Sequence, residues 1–82
     1  MTVEKVIGRV FKINPQELSD TSSRDMIEQW DSMGHLTLIT AIEDHFHVSI
    51  AIADAMEMTS IRKIKEVLKD YGVTDTSSPI GP

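Results

Sequence analysis

The residue with the clearest chemical potential is Ser32, which directly follows Asp31 and lies three positions before His35. A serine hydroxyl becomes a catalytic nucleophile when a base, an orienting group and oxyanion donors surround it. His35 is the local candidate for the base, but its place on the core side of the following helix favours packing over proton transfer. The strand-turn-helix context of a G-x-S-x-G nucleophile elbow is also missing. We therefore predict no catalytic serine; a hydroxyl presented without catalytic groups suggests a site that another enzyme modifies.

The position of Ser32 at the start of a helix agrees with modification by a phosphoryl group. A helix N-terminus offers unpaired N–H groups and the positive end of the helix dipole. Asp31 is expected to cap this helix and to help hold Ser32 at the surface. On these local features alone, a simple helix start and a modification site remain nearly equal alternatives.

The remaining candidate ligands do not predict a metal site. His45 and His47 are two positions apart, with Asp44 and Asp54 nearby, whereas a helical zinc site has histidines four apart. The chain has no cysteine, so thiolate sites and disulfides are excluded. We expect two solvated histidines at the end of a helix.

Charge separates the middle of the chain from its flanks. The 82 residues carry a net charge of −5, which argues against nucleic-acid binding. Residues 31–58 hold five acidic side chains and no Lys or Arg, so the net charge lies in the segment that begins beside Ser32. Such a segment favours docking to basic partners. No membrane-spanning run or signal peptide is recognisable, and we expect a cytoplasmic monomer.

Helical spacing of apolar residues predicts three main helices plus a short helix before the last. Thr2 is the expected cap of the first helix, Ile13 and Leu18 are expected to plug the following loop, and Trp30 closes that loop. Thr59 or Ser60 caps the last helix, and Gly72 stops it. The expected elements are a first helix with its stripe over 3–11, a second over 32–46, a short turn over 52–56, and a last helix with Ile61, Ile64, Leu68 and Tyr71 buried. Residues 1–73 form one all-α domain, and 74–82 read as a flexible tail.

The second helix has two different faces. Its core stripe comprises Leu38, Ile39, Ile42 and Phe46, with His35 in the same sector. The opposite side carries a candidate partner-binding surface of apolar and acidic residues: Met33, Leu36, Thr40, Glu43 and Asp44. Apolar side chains rimmed by acid suit the docking of another protein.

These residues also resemble a known family. The triplet Asp31, Ser32, Met33 is similar to the Asp-Ser-Leu signature of acyl carrier proteins. The register extends further: 6–18 resembles the first helix and loop of that family, 36–50 its second helix and exit, and 58–61 the lead into its last helix. The resemblance covers about residues 3–72 and is more specific than the triplet alone.

The resemblance implies that Ser32 receives 4′-phosphopantetheine from coenzyme A through a separate, magnesium-dependent phosphopantetheinyl transferase. The terminal thiol then carries acyl or aminoacyl groups as thioesters between loading and transferring enzymes, and the carrier itself is not an enzyme. Met33 replaces the leucine of the usual fatty-acid form, and the second helix is less acidic than in that form because of Gly34, His35, Thr37 and Thr40. Trp30, before the Asp, resembles stand-alone carriers of specialised pathways. We predict a discrete acyl or aminoacyl carrier with an acyl-carrier-like fold; the alternative is an unmodified acidic helical module that binds a basic protein.

Overall fold

Four helices and a long connection make up residues 3–73, the part of the chain that the computed structural model describes. The helices are α1 (Val3–Phe11), α2 (Ser32–Phe46), α3 (Ile52–Glu57) and α4 (Ile61–Asp70), and two 3₁₀ turns (Pro15–Glu17 and Arg24–Met26) lie between α1 and α2. This all-α arrangement confirms the predicted fold class. Extended pairing within residues 3–73 is limited to an isolated bridge between Ser23 and Ser60. The predicted cap Thr2 and the predicted tail 74–82 lie outside the described residues.

The core joins the apolar stripes of the helices with side chains from the connection. Its buried hydrophobic residues are Val3, Val6, Ile7, Phe11, Ile27, Trp30, Leu38, Ile39, Ile42, Met58, Ile61, Ile64 and Leu68. Each large aliphatic side chain of this kind contributes about 1.5–3 kcal/mol when it is removed from water. Two predicted core members differ: Phe46 is half-buried, and Tyr71 is half-buried just beyond the end of α4.

The connection between α1 and α2 is fastened to the rest of the fold. Ile13 and Leu18 pack against the core as predicted. Trp30 is 1% exposed, and its ring centroid lies 5.8 Å from that of Phe11. The N–H of Ile61 donates to the carbonyl of Ser22 over 3.0 Å. Core packing and a backbone hydrogen bond therefore fix the position of the connection, and with it the start of α2.

Lys65 adds an ionic contact between α4, α1 and the connection. Its Nζ donates to Glu4 Oε2 at 2.8 Å and to Asp20 Oδ1 at 2.6 Å. Burial by itself lowers the pKa of Lys65, but the hydrogen bonds to Asp20 and Glu4 and their charges outweigh it, so the pKa is raised. Lys65 thus stays charged and holds the loop against two helices.

The helix ends follow the predicted capping chemistry. Asp31 Oδ1 accepts from the Gly34 N–H at 2.8 Å, which confirms Asp31 as the cap of α2. Of the two candidates for α4, Ser60 is the cap, because its Oγ accepts from the Lys63 N–H. Gly72 has a φ of 87°, the left-handed conformation typical of a residue that ends a helix. Within residues 3–73, no helix combines the length and apolar character needed to cross a membrane.

Candidate functional site

Ser32 is the first residue of α2 and is exposed to solvent. The Asp31 side chain is used by the helix cap, and the carbonyl of Asp31 accepts from the His35 N–H at 2.7 Å. Hydrogen bonds therefore hold the backbone beside Ser32, while Ser32 itself is accessible to solvent. This geometry suits a reaction in which a second protein approaches the hydroxyl.

Gly34 allows α2 to begin close against the preceding loop. A Cβ at this position would lie 2.2 Å from the carbonyl oxygen of Gln29 and 3.1 Å from the ring of Phe11. Any side chain would force the loop and the helix apart. The sequence offered only the presence of a glycine at this position, because the close approach depends on residues distant along the chain.

His35 is a structural link between the loop, α2 and α3. The indole N–H of Trp30 donates to His35 Nδ1 at 2.9 Å. Because indole is only a donor, Nδ1 must be the acceptor, and Nε2 carries the proton that it donates to the Ala55 carbonyl at 2.8 Å. Both ring nitrogens are engaged, so His35 does not act as a base for Ser32, and the packing role predicted for it is confirmed.

Arg24 lies beside the hydroxyl, and sequence reasoning missed it. Its Nη2 donates to Ser32 Oγ at 3.3 Å, and its Nε donates to the Trp30 carbonyl at 3.1 Å. Arg24 precedes Ser32 by eight residues in a polar loop, and no helical or strand spacing relates the two. A guanidinium remains charged and cannot accept a proton, so Arg24 is no substitute for a general base.

An exposed apolar surface extends from Ser32 across α2 and α3. Met33 is 75% exposed and Leu36 66% exposed on α2, while Ile52 and Met56 are 80% and 70% exposed on α3. We call these four residues, with exposed Thr40, the α2–α3 surface. Met33, Leu36 and Thr40 point outward as predicted. Ile52 and Met56 were missed, although their i, i+4 spacing on a short helix is the signal of a shared face.

A depression lies between the two helices within this surface. Leu36, Ile52 and Met56 line it together with half-buried Ala55 and Ile50. Exposed apolar groups around a depression are typical of a protein surface that receives a partner.

The acidic residues of the segment 31–58 have different tasks. Asp44 is exposed, as expected of a docking residue. Glu43 differs from the outward placement expected for it: it is half-buried, and its Oε2 accepts from the Ile50 N–H at 2.9 Å. Its carboxylate therefore holds the chain that leads into α3, a role that depends on the loop conformation and not on helical spacing.

Tyr71 and Asp54 fasten α3 to the end of α4. The Tyr71 hydroxyl donates to Asp54 Oδ2 at 2.6 Å and accepts from the Ala51 N–H at 2.9 Å. The hydrogen bond to Asp54 raises the pKa of Tyr71, because ionisation of the phenol would remove the donated proton. This contact positions the helix that carries Ile52 and Met56.

Of the two histidines expected to be solvated near the end of α2, His47 is exposed, whereas His45 is half-buried. His45 Nε2 lies 3.5 Å from Arg9 Nη1, and His47 ends α2 with a φ of 53°. Among residues 3–73, no three His, Cys, Asp or Glu side chains are grouped in a way that could hold a metal ion.

Comparison with protein families gives one match over most of the chain. A family model described as "Phosphopantetheine attachment site" matches residues 2–68. Comparison with curated protein sequences gave no match. The matched range includes Ser32, Arg24 and the whole α2–α3 surface.

Proposed function

The chain belongs to the phosphopantetheine-attachment family of carrier proteins, and on that premise we propose that Ser32 is the residue that carries the prosthetic group. The family assignment implies a covalent 4′-phosphopantetheine group and modification by a phosphopantetheinyl transferase. A carrier domain is not itself catalytic. The prosthetic group, called the arm below, must be attached to one particular hydroxyl of this chain.

The uses of three other serines, Ser22, Ser49 and Ser60, support Ser32. Ser22 is buried, and its Oγ accepts from the Ser19 N–H. Ser60 Oγ caps α4. Ser49 is exposed but lies after the end of α2, outside any helix. Ser32 alone among these combines exposure with a helix N-terminus and the preceding Asp of the carrier signature.

The surroundings of Ser32 also fit a phosphodiester. The hydroxyl is open to solvent, and the positive end of α2 lies at its base. The guanidinium of Arg24, 3.3 Å away, adds a full positive charge. When bound, the arm supplies a terminal thiol that holds acyl or aminoacyl groups as thioesters. The residues of this chain supply a rigid base, an accessible attachment atom and a recognisable surface.

The α2–α3 surface is the proposed docking site for the transferase and for loading and transferring enzymes. Four large apolar side chains there are at least 66% exposed. The segment that contains both helices carries acidic residues and no Lys or Arg. A partner with an apolar patch rimmed by basic residues complements this surface.

The proposed carrier serves a specialised biosynthetic pathway as a discrete protein. Support comes from Trp30, whose position before Asp31 resembles stand-alone carriers and whose buried indole is bonded to His35. Gly34, which the close approach of Gln29 requires, is a second departure from the usual fatty-acid form. Trp30 and Gly34 both lie against Phe11. Their two departures from the fatty-acid form are therefore parts of one packing arrangement.

The test is modification of the purified chain in the presence of coenzyme A, Mg²⁺ and a broad-specificity phosphopantetheinyl transferase. We expect intact-mass spectrometry to show the addition of one phosphopantetheinyl group to the wild type and to Ser49→Ala, the matched exposed-serine control. Ser32→Ala should gain nothing. Modification of Ser32→Ala would refute the site, and an unmodified wild type would favour the unmodified interaction module.

A further inference from the structure

Arg24 is held in place before any group is attached to Ser32. Its backbone N–H donates to the Thr59 carbonyl at 2.9 Å, and its Nε donates to the Trp30 carbonyl at 3.1 Å. Arg24 is half-buried, and Trp30 is itself buried. The guanidinium is therefore anchored at one edge, while Nη2 points to Ser32 Oγ at 3.3 Å.

The fold thus places the positive charge of Arg24 beside Ser32, in a segment whose own sequence has no Lys or Arg. Residues 31–58 contain no Lys or Arg, and Ser32 is at the beginning of this segment. Asp31 adds a negative charge next to Ser32, and its Oδ1 is used by the Gly34 N–H. The hydroxyl of a serine is neutral and gains little from a neighbouring cation, whereas the negative charge of a phosphodiester is stabilised by one.

We propose that Arg24 is a positioning residue of the modified protein, whose guanidinium pairs with the phosphodiester formed at Ser32 Oγ. The inference rests on the proposed attachment at Ser32. The non-bridging oxygens of that group are bonded to the phosphorus that Oγ carries, within reach of a guanidinium already in contact with Oγ. Arginine offers planar N–H donors that match phosphate oxygens, and the fixed edge at Trp30 reduces the loss of side-chain entropy. The pair fixes the direction in which the arm leaves α2.

A thermodynamic cycle separates this pairing from the structural role of Arg24. Urea unfolding is measured for the unmodified and modified forms of the wild type and of Arg24→Gln. The loss of the Trp30 contact affects both forms of the variant equally and cancels. We expect attachment of the arm to favour folding roughly two- to fivefold more in the wild type than in Arg24→Gln, and this difference to shrink at about 1 M salt.

Arg9→Gln is the matched control. Arg9 lies beside His45, and Ser32 and His45 are thirteen residues apart on α2, or about 20 Å. Arg9→Gln should change the free energy of unfolding by the same amount in the unmodified and the modified form. A second readout is the ³¹P resonance of the phosphodiester, which should differ between the wild type and Arg24→Gln in the folded state and coincide in urea.

The outcomes distinguish this inference from the proposed function. If the wild type gains no arm at Ser32, both are overturned. If the arm attaches but the Arg24→Gln cycle equals the Arg9→Gln cycle and the ³¹P resonances coincide, the pairing alone is overturned. If the transferase fails to modify Arg24→Gln, a Ser32→Glu cycle decides, since it places a carboxylate one bond beyond the γ position, where the phosphorus would lie, without enzyme: coupling to Arg24 supports the pairing, and its absence refutes it.

Discussion

Trp30 donates its indole N–H to His35 Nδ1 over 2.9 Å and thereby joins the loop before Ser32 to the helix that Ser32 begins. The same histidine donates from Nε2 to the Ala55 carbonyl, which brings α3 into the connection. Ser32, proposed as the attachment residue, and the two helices of the proposed docking surface are thus held in one hydrogen-bonded arrangement. Under the proposed function, this arrangement would present the Ser32 hydroxyl and the α2–α3 surface to a partner in a constant relation.

Replacement of His35 by leucine tests this connection. The buried indole N–H of Trp30 and the Ala55 carbonyl would both lose their partner, so we expect His35→Leu to lower the free energy of unfolding by about 1–3 kcal/mol. His47→Asn is the control, because His47 is exposed and asparagine tolerates its left-handed conformation; it should change stability by less than about 0.5 kcal/mol. Equal values for the two variants in urea unfolding would contradict the structural role of His35.

Gly34→Ala tests the close approach at the start of α2. Helix propensity alone predicts that alanine stabilises a helical position by about 1 kcal/mol. The Cβ would however lie 2.2 Å from the Gln29 carbonyl, so we expect a loss of roughly 1–3 kcal/mol. Thr37→Ala, at an exposed position three residues further along α2, is the control and should be nearly neutral or slightly stabilising. A more stable Gly34→Ala protein would show that the loop does not lie against the helix.

The docking surface is tested by placing charge in its apolar centre. Leu36→Asp and Met56→Asp should each reduce the catalytic efficiency of the phosphopantetheinyl transferase about tenfold, as expected for a central interface residue. Both side chains are exposed, so stability should change by less than about 0.5 kcal/mol. Met26→Asp is the matched control, because Met26 is 68% exposed but lies on the loop and not on α2 or α3. A large loss of helicity in Leu36→Asp, or an equal rate loss in Met26→Asp, would be inconsistent with the proposed surface.

The link between α3 and α4 can be followed by titration, because Tyr71 is the only tyrosine of the chain. Its pKa is raised above 10.0 by the hydrogen bond to Asp54, so the folded state binds the phenolic proton more tightly than the unfolded state. This contribution to stability is complete below the unfolded pKa, about pH 10, and is lost as the pH rises through the folded pKa. Ultraviolet absorbance of tyrosinate should show a midpoint above that of the urea-unfolded chain, and Asp54→Asn should lower it. A folded midpoint at or below the unfolded one would contradict the contact.

Sequence reasoning reached the elements and singled out Ser32 because their signals are local. The apolar spacing in α1, α2 and α4 reports directly on the buried stripes, and the Asp31 cap is read from three neighbouring residues. The same reasoning could not predict the contact of Arg24 with Ser32 or the residues that lie against Gly34, because these contacts join the loop to the helix. Glu43 shows the same limit. Its position on the helix predicts exposure to solvent, but the loop after α2 places the Ile50 N–H where it donates to the Glu43 carboxylate. The roles of Arg24 and Glu43 depend on the conformation of the loops, which the periodicity of apolar residues does not predict.

The central claim, attachment at Ser32, is tested most directly by locating the modification within the chain. Trypsin cleavage after Arg24 and Arg62 yields a fragment of residues 25–62, which contains Ser32, Ser49 and Ser60. After incubation with coenzyme A, Mg²⁺ and a phosphopantetheinyl transferase, tandem mass spectrometry of this fragment should place a single phosphopantetheinyl group on Ser32. A group on Ser49 or Ser60, or an unmodified fragment from a chain incubated with an active transferase, would contradict the account.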